Sequence, residues 1–148
     1  MGTTIRWVGG LIGALALPAL GVSGCTSNPF LPTDVLFLQV YELEIGAGRE
    51  AVVGDRVVID YVMWAYDSEQ ADSKGREVGS RNGYTFFLGA NQVNPAFDEG
   101  LVGMRVGGLR RLVVPAGYVN AGGAAFTSAP PNTPLVAEVR MVDAQTVG

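Results

Sequence analysis

The 148-residue chain carries ten lysines and arginines against fourteen aspartates and glutamates, with no histidine and a single cysteine, for a formal charge of −4. That length suits one domain and hardly two, and the acidic balance offers no general attraction to nucleic acid. Without imidazole and with one thiol, the chain builds no Ser-His-Asp triad, Cys-His pair, histidine-ligated metal or intrachain disulfide, so its chemistry needs neither imidazole nor thiolate.

The first 24 residues read as an export signal. Arg6 precedes an uncharged run from Trp7 to Gly24 that Gly9, Gly10, Gly13 and Pro18 interrupt. A spanning helix prefers about 20 apolar residues with fewer breakers. The residues Val22-Ser23-Gly24-Cys25 resemble the lipobox of bacterial lipoproteins, in which the cysteine is diacylated and becomes the first residue of the mature chain. The only cysteine falls at that position, so no disulfide competes for it, and two or three acyl chains hold a membrane where one binds only marginally. The alternatives are an uncleaved transmembrane anchor and an unmodified buried thiol. Residues 25–35 then form the lipidated cysteine and a polar, proline-stiffened tether, and residues 36–146 the folded domain. The expected location is the bacterial cell envelope, at a membrane or its periplasmic face.

Beyond the tether the hydrophobic period is mostly two. A strand is predicted from Leu36 to about Glu44. A long half-buried one follows, with Val57, Ile59, Tyr61, Met63 and Ala65 on one face. Residues 66–83 read as a polar loop, and Tyr84 to Leu88 as a short strand. Asn94 as N-cap, Pro95 at the first helical position, acids in the first turns and a terminating Gly103 predict a short helix with Phe97, Leu101 and Met104 on one face. Gly107-Gly108 is a tight turn. Residues 109–114 form another strand, and residues 115–134 a long loop of the kind that is usually functional or mobile. The final strand alternates Leu135, Ala137, Val139 and Met141 inward with Glu138 and Arg140 outward.

The ordered motifs Val53-Gly54-Asp55, Val58-Ile59-Asp60-Tyr61, Phe86-Phe87-Leu88-Gly89, Val93, Phe97-Asp98-Glu99-Gly100-Leu101-Val102-Gly103-Met104-Arg105-Val106-Gly107-Gly108, Arg111-Leu112-Val113-Val114-Pro115 and Asn132-Thr133-Pro134-Leu135-Val136 resemble the FKBP-type peptidyl-prolyl cis-trans isomerase family over residues 36 to 146. The resemblance implies an α+β fold, an antiparallel sheet of five or six strands wrapped around one short helix. It also implies a monomer that isomerises proline-containing polypeptides without nucleophile, metal or cofactor. With the leader, it implies a folding assistant for exported proteins at a membrane surface.

Carried over residue by residue, the resemblance makes Tyr61 and Phe97 the catalytic walls, with Phe97 where the family usually has tryptophan. Tyr84 and Phe86 line the pocket, and the backbone at Val93 and Asn94 meets the substrate. Val78-Gly79 stands in place of the family's Phe-Asp flap pair, Asn120 in place of a tyrosine donor, and Ala137 in place of a pocket phenylalanine. A rival reading is therefore a non-catalytic peptide-binding or chaperone module with an eroded pocket. An open depth floored by Phe97 and rimmed by Tyr61 and Tyr84 favours the enzyme, and collapse of the 115–134 loop into that space favours the module. The four aromatics also suit a core, and Asn120 also suits a turn before Gly122-Gly123. Asp98 and Glu99 read as helix-dipole acids rather than a catalytic pair. Arg110 and Arg111 read as solvated or ion-paired.

Overall fold

The computed structural model describes residues 35–119 and 127–148; the leader, Cys25 and Asn120 lie outside them. Five strands, β1 (Gln39–Glu44), β2 (Arg56–Tyr66), β3 (Lys74–Phe87), β4 (Leu109–Val114) and β5 (Leu135–Gln145), form one sheet in the order β1-β4-β5-β2-β3, and every neighbouring pair is antiparallel. The helix α1 (Pro95–Gly100) lies against the sheet, and a single turn, α2 (Ala116–Val119), opens the loop after β4. Strand alternation does the sorting. Val57, Ile59, Tyr61 and Met63 of β2, Leu112 and Val114 of β4, and Leu135, Ala137, Val139 and Met141 of β5 are all buried, and they meet Ala96, Phe97, Leu101 and Met104 in one core.

The helix begins where its sequence says. Asn94 Oδ1 accepts from the Ala96 N–H at 2.8 Å, and Pro95 follows in the first turn. It ends earlier than Gly103, because Leu101 caps it and the Gly103 N–H donates to Ala51 O at 2.9 Å, a tertiary bond in place of a helical one. Gly103 then carries the turn at φ +77°. Gly100 brings α1 close to β4: a Cβ there would stand 2.7 Å from the Leu112 side chain.

Two expectations need correction. Residues 66–83 are a loop only over 67–73, which includes a 3-10 turn at Ala71–Ser73, since β2 runs to Tyr66 and β3 starts at Lys74. The β2–β3 register shifts three times along this edge, and each shift resets the inward–outward alternation that would have marked a strand. Residues 115–134 are not wholly irregular either, because α2 opens them.

Polar side chains brace the margins of the sheet. Arg110 pairs with Glu42 and donates to Gly100 O at 2.7 Å, at the end of α1. Glu138 receives Lys74 at 2.6 Å and Arg111 at 2.9 Å. Burial pushes its carboxyl up, but the hydrogen bonds and charges of those two cations outweigh this and hold it below the usual range.

Buried Asp55 takes Arg49 at 2.8 Å and the Val52 N–H at 2.9 Å. The Arg49 hydrogen bond, then that of Val52, lowers its pKa below the ordinary 3.8. A carboxylate with a depressed folded-state pKa contributes stability that is present above the unfolded value and lost as pH falls through the folded one. Urea unfolding will therefore show wild type weakening below about pH 4, with that part of the pH dependence missing in Asp55→Asn.

Gly46 packs so closely against the 105–108 turn that a Cβ would overlap Val106 O and approach Arg105 O to 2.6 Å. Since backbone atoms cannot rotate aside, Gly46→Ala will cost about 1–3 kcal/mol in urea unfolding.

Candidate functional site: an aromatic cup

Ile59 and Tyr61 from β2, Tyr84 from β3, Val93 from the following loop and Phe97 from α1 line a small apolar depression. The Tyr61 ring meets Phe97 edge-on, with centroids 5.7 Å apart and planes at 72°, and meets Tyr84 at 6.2 Å and 82°. Burial pushes the Tyr61 phenol above its ordinary pKa of 10.0, against a smaller pull downward from Arg81, so the O–H stays protonated at neutral pH.

Each wall has a local cause. The alternation of β2 points Ile59 and Tyr61 inward, and the Asn94 cap fixes the start of α1 and hence the face on which Phe97 lies. A bulge in β3 sets Tyr84. Ile59 pairs with Tyr84 but Tyr61 pairs with Arg81, so Asn82 and Gly83 together oppose Asp60. Gly83, at φ +67°, donates its N–H to Asp60 Oδ1 at 2.7 Å. Arg81 lies over the Tyr84 ring at 5.2 Å from its centroid.

The loop between β3 and α1 is held from beneath. Asp98 is buried, and its two oxygens accept the Gly89 and Asn91 N–H groups at 2.9 Å each. It acts as a loop anchor, a role its place in the helix does not disclose. Asn94 Nδ2 donates to Tyr118 O at 2.6 Å and the Tyr118 hydroxyl to Glu99 Oε2 at 3.2 Å, linking α1 to α2. Among the described residues, no acceptor takes the Asn94 backbone N–H, and no group of three His, Cys, Asp or Glu side chains is placed to hold a metal ion.

With this geometry in view, comparison with known proteins is decisive. The profile of the FKBP-type peptidyl-prolyl cis-trans isomerases matches residues 47–142. The chain belongs to that family. An FK506-binding protein of Neisseria meningitidis serogroup B is 34% identical over 109 residues, covering 71% of this chain and 94% of the relative. A chloroplastic peptidyl-prolyl cis-trans isomerase of Arabidopsis thaliana is 38% identical over 86 residues, covering 53% of this chain and 34% of its own. The crystal structure of FkpA from Escherichia coli aligns with a TM-score of 0.59 at 27% identity, over 75% of this chain and 49% of that one.

In this FKBP-type chain the structure gathers Tyr61, Tyr84, Val93 and Phe97 around one depression, with Asn94 at its edge. The other residues singled out from sequence fall elsewhere. Phe86 is buried behind Tyr84, its ring centroid 5.8 Å away. Ala137 is buried in the sheet between Met63 and Leu112 and does not line the depression. The Val78 side chain is also buried, while its carbonyl accepts from the Ser128 N–H at 2.8 Å, Ser128 Oγ at 3.0 Å and Thr127 Oγ1 at 3.3 Å. Asn120 lies outside the described residues. Sequence reasoning missed Ile59, which the period-two pattern through Tyr61 puts on the same face, and Arg81, which the bulge brings there without a periodic signal.

Proposed function

We propose that this protein is a peptidyl-prolyl cis-trans isomerase, anchored through lipidated Cys25 at a membrane surface, that assists the folding of exported proteins. The observation that carries the enzymatic reading is the cup of Ile59, Tyr61, Tyr84, Val93 and Phe97 in a chain of this family.

Rotation about an X–Pro bond crosses a barrier of about 18–20 kcal/mol without breaking a bond, so a chain without histidine lacks nothing it needs. In the twisted amide, resonance is lost and the carbonyl and nitrogen become less polar. An apolar aromatic cup therefore favours the twisted form over the planar, well-solvated one. Tyr61 and Phe97 are the walls against the proline ring, Tyr84 and Val93 complete the enclosure, and the Asn94 N–H is placed to donate to a substrate carbonyl. The lipobox-like Val22-Ser23-Gly24-Cys25 supports the anchor.

A second reading, a peptide-binding module without catalysis, is favoured by Val78-Gly79 and Ala137 standing where the family has aromatic and acidic pocket residues. One experiment separates the two. The full chain, in uncharged detergent, will accelerate cis-to-trans conversion of a short X–Pro peptide and the refolding of a proline-limited protein. If the Tyr61 hydroxyl donates to the substrate, Tyr61→Phe, which keeps the ring, will lower kcat/KM by about three- to tenfold, the worth of one hydrogen bond, without a change in melting temperature. A folded sample that accelerates neither leaves the binding module standing. For the anchor, mass spectrometry of membrane-extracted protein will show a chain beginning at acylated Cys25, and a chain still beginning at Met1 overturns it.

A further inference from the structure

We propose that Arg81 selects substrates carrying a carboxylate side chain beside the isomerising proline, an inference that rests on the isomerase reading and names its substrate class. The β3 bulge opposite Asp60 decides the matter. By absorbing Asn82 and Gly83 it leaves Arg81 and Tyr84 as successive residues on the face that carries the cup, opposite Tyr61 and Ile59. The guanidinium carbon then stands 5.2 Å from the Tyr84 ring centroid, close enough for a cation–π contact that holds it over a cup wall. Its charge is felt within the cup, because it pulls on the Tyr61 phenol.

Arg81 itself is exposed, and among the described residues no carboxylate lies within ion-pair distance of it. Arg49, Arg110, Arg111 and Arg140 hold carboxylates, while Arg56, Arg76 and Arg105 share with Arg81 the absence of one among the described residues, and of these four Arg81 alone lies over a ring of the cup. The acids around the cup are already engaged: Asp98 by the Gly89 and Asn91 N–H groups, Glu99 by the Tyr118 hydroxyl, and Asp60 by the Gly83 N–H. Two residues before Arg81 stands Gly79, which carries no side chain to pair with it. A planar five-donor cation thus sits at the mouth of an apolar site with no acid beside it, and its fork matches a carboxylate.

The test uses the full chain in uncharged detergent and end-capped peptides Ala-Xaa-Pro-Phe with glutamate, glutamine or lysine at Xaa. Isomerisation is measured by NMR exchange, and binding by shift titration. The glutamate peptide will exceed the glutamine peptide about two- to fivefold in both kcat/KM and affinity, as an exposed ion pair allows. Lysine will fall below both. The ratio will approach one in 1 M salt, where screening acts within about 3 Å.

Arg81→Gln will bring the glutamate-to-glutamine ratio to one, Arg81→Lys will keep part of it, and Arg81→Glu will invert it. A purely structural role over Tyr84 would change all three peptides alike. Equal handling of glutamate and glutamine by wild type, or an unchanged ratio in Arg81→Gln, overturns the proposal. If no peptide is isomerised the enzymatic reading fails, while the binding ratio still decides the role of Arg81. Absence of binding as well overturns both.

Discussion

Phe97→Ala will destabilise the protein by roughly 3–5 kcal/mol, the cost of emptying a buried aromatic site, and will abolish isomerisation. Phe97 is buried between α1 and the sheet, and it supplies the edge-on contact with Tyr61 at 5.7 Å. Removing the ring takes away both a piece of the core and one wall of the cup. Urea unfolding gives the first quantity, and peptide isomerisation, assayed at a temperature where circular dichroism shows the variant folded, gives the second. Phe97→Leu separates them. It restores much of the volume and forgoes the aromatic pair, worth about 0.5–1.5 kcal/mol, so stability largely returns while activity stays low. A loss below about 1 kcal/mol for the alanine variant would be incompatible with the packing described.

Asp98→Ala will have the second largest effect, roughly 2–4 kcal/mol, because two hydrogen bonds to a charged acceptor disappear together. Those bonds hold Gly89 at φ +80° and Asn91 at φ +54°, a left-handed conformation that asparagine tolerates better than most residues with a side chain. Without the carboxylate the loop relaxes, and Val93, two residues beyond Asn91, loses its fixed place in the cup. Amide exchange at residues 89–93 will rise well beyond that of β2, and KM for a proline peptide will increase more than kcat falls. Asp98→Asn keeps one acceptor oxygen and will fall between wild type and alanine on both measures. An alanine variant with wild-type exchange across the loop would show that other contacts hold it.

Where structure followed from sequence, one face of an element was buried throughout. The alternation through Val57, Ile59, Tyr61 and Met63, and through Leu135, Ala137, Val139 and Met141, names two central strands because each has a neighbour on both sides and a core beneath it. Asn94 and Pro95 mark the start of α1 because capping is local chemistry. Only the end of β3, from Tyr84, was legible; residues 74–83 escaped because β3 is an edge strand with three register shifts, and a bulge erases the period that announces a strand.

The site divides along the same line. Tyr61, Tyr84, Val93 and Phe97 were legible through family motifs, and the structure brings them together. The loop-anchoring role of Asp98 and the rim position of Arg81 depend on groups far away in the fold or on an irregularity of register, which neither composition nor period records.

The strand order has a consequence for how the protein is made. β5, the last of the described strands, lies at the centre of the sheet, between β4 and β2, and by strand pairing it alone joins β1–β4 to β2–β3. Until residues 135–145 are available, a growing chain has two ribbons with no strand to join them, and α1 has no complete sheet to cover. Two-stranded ribbons are marginal alone, and pairings this distant in sequence close late. Closure of the five-stranded sheet therefore waits on the strand that is made last, and stability arrives with it.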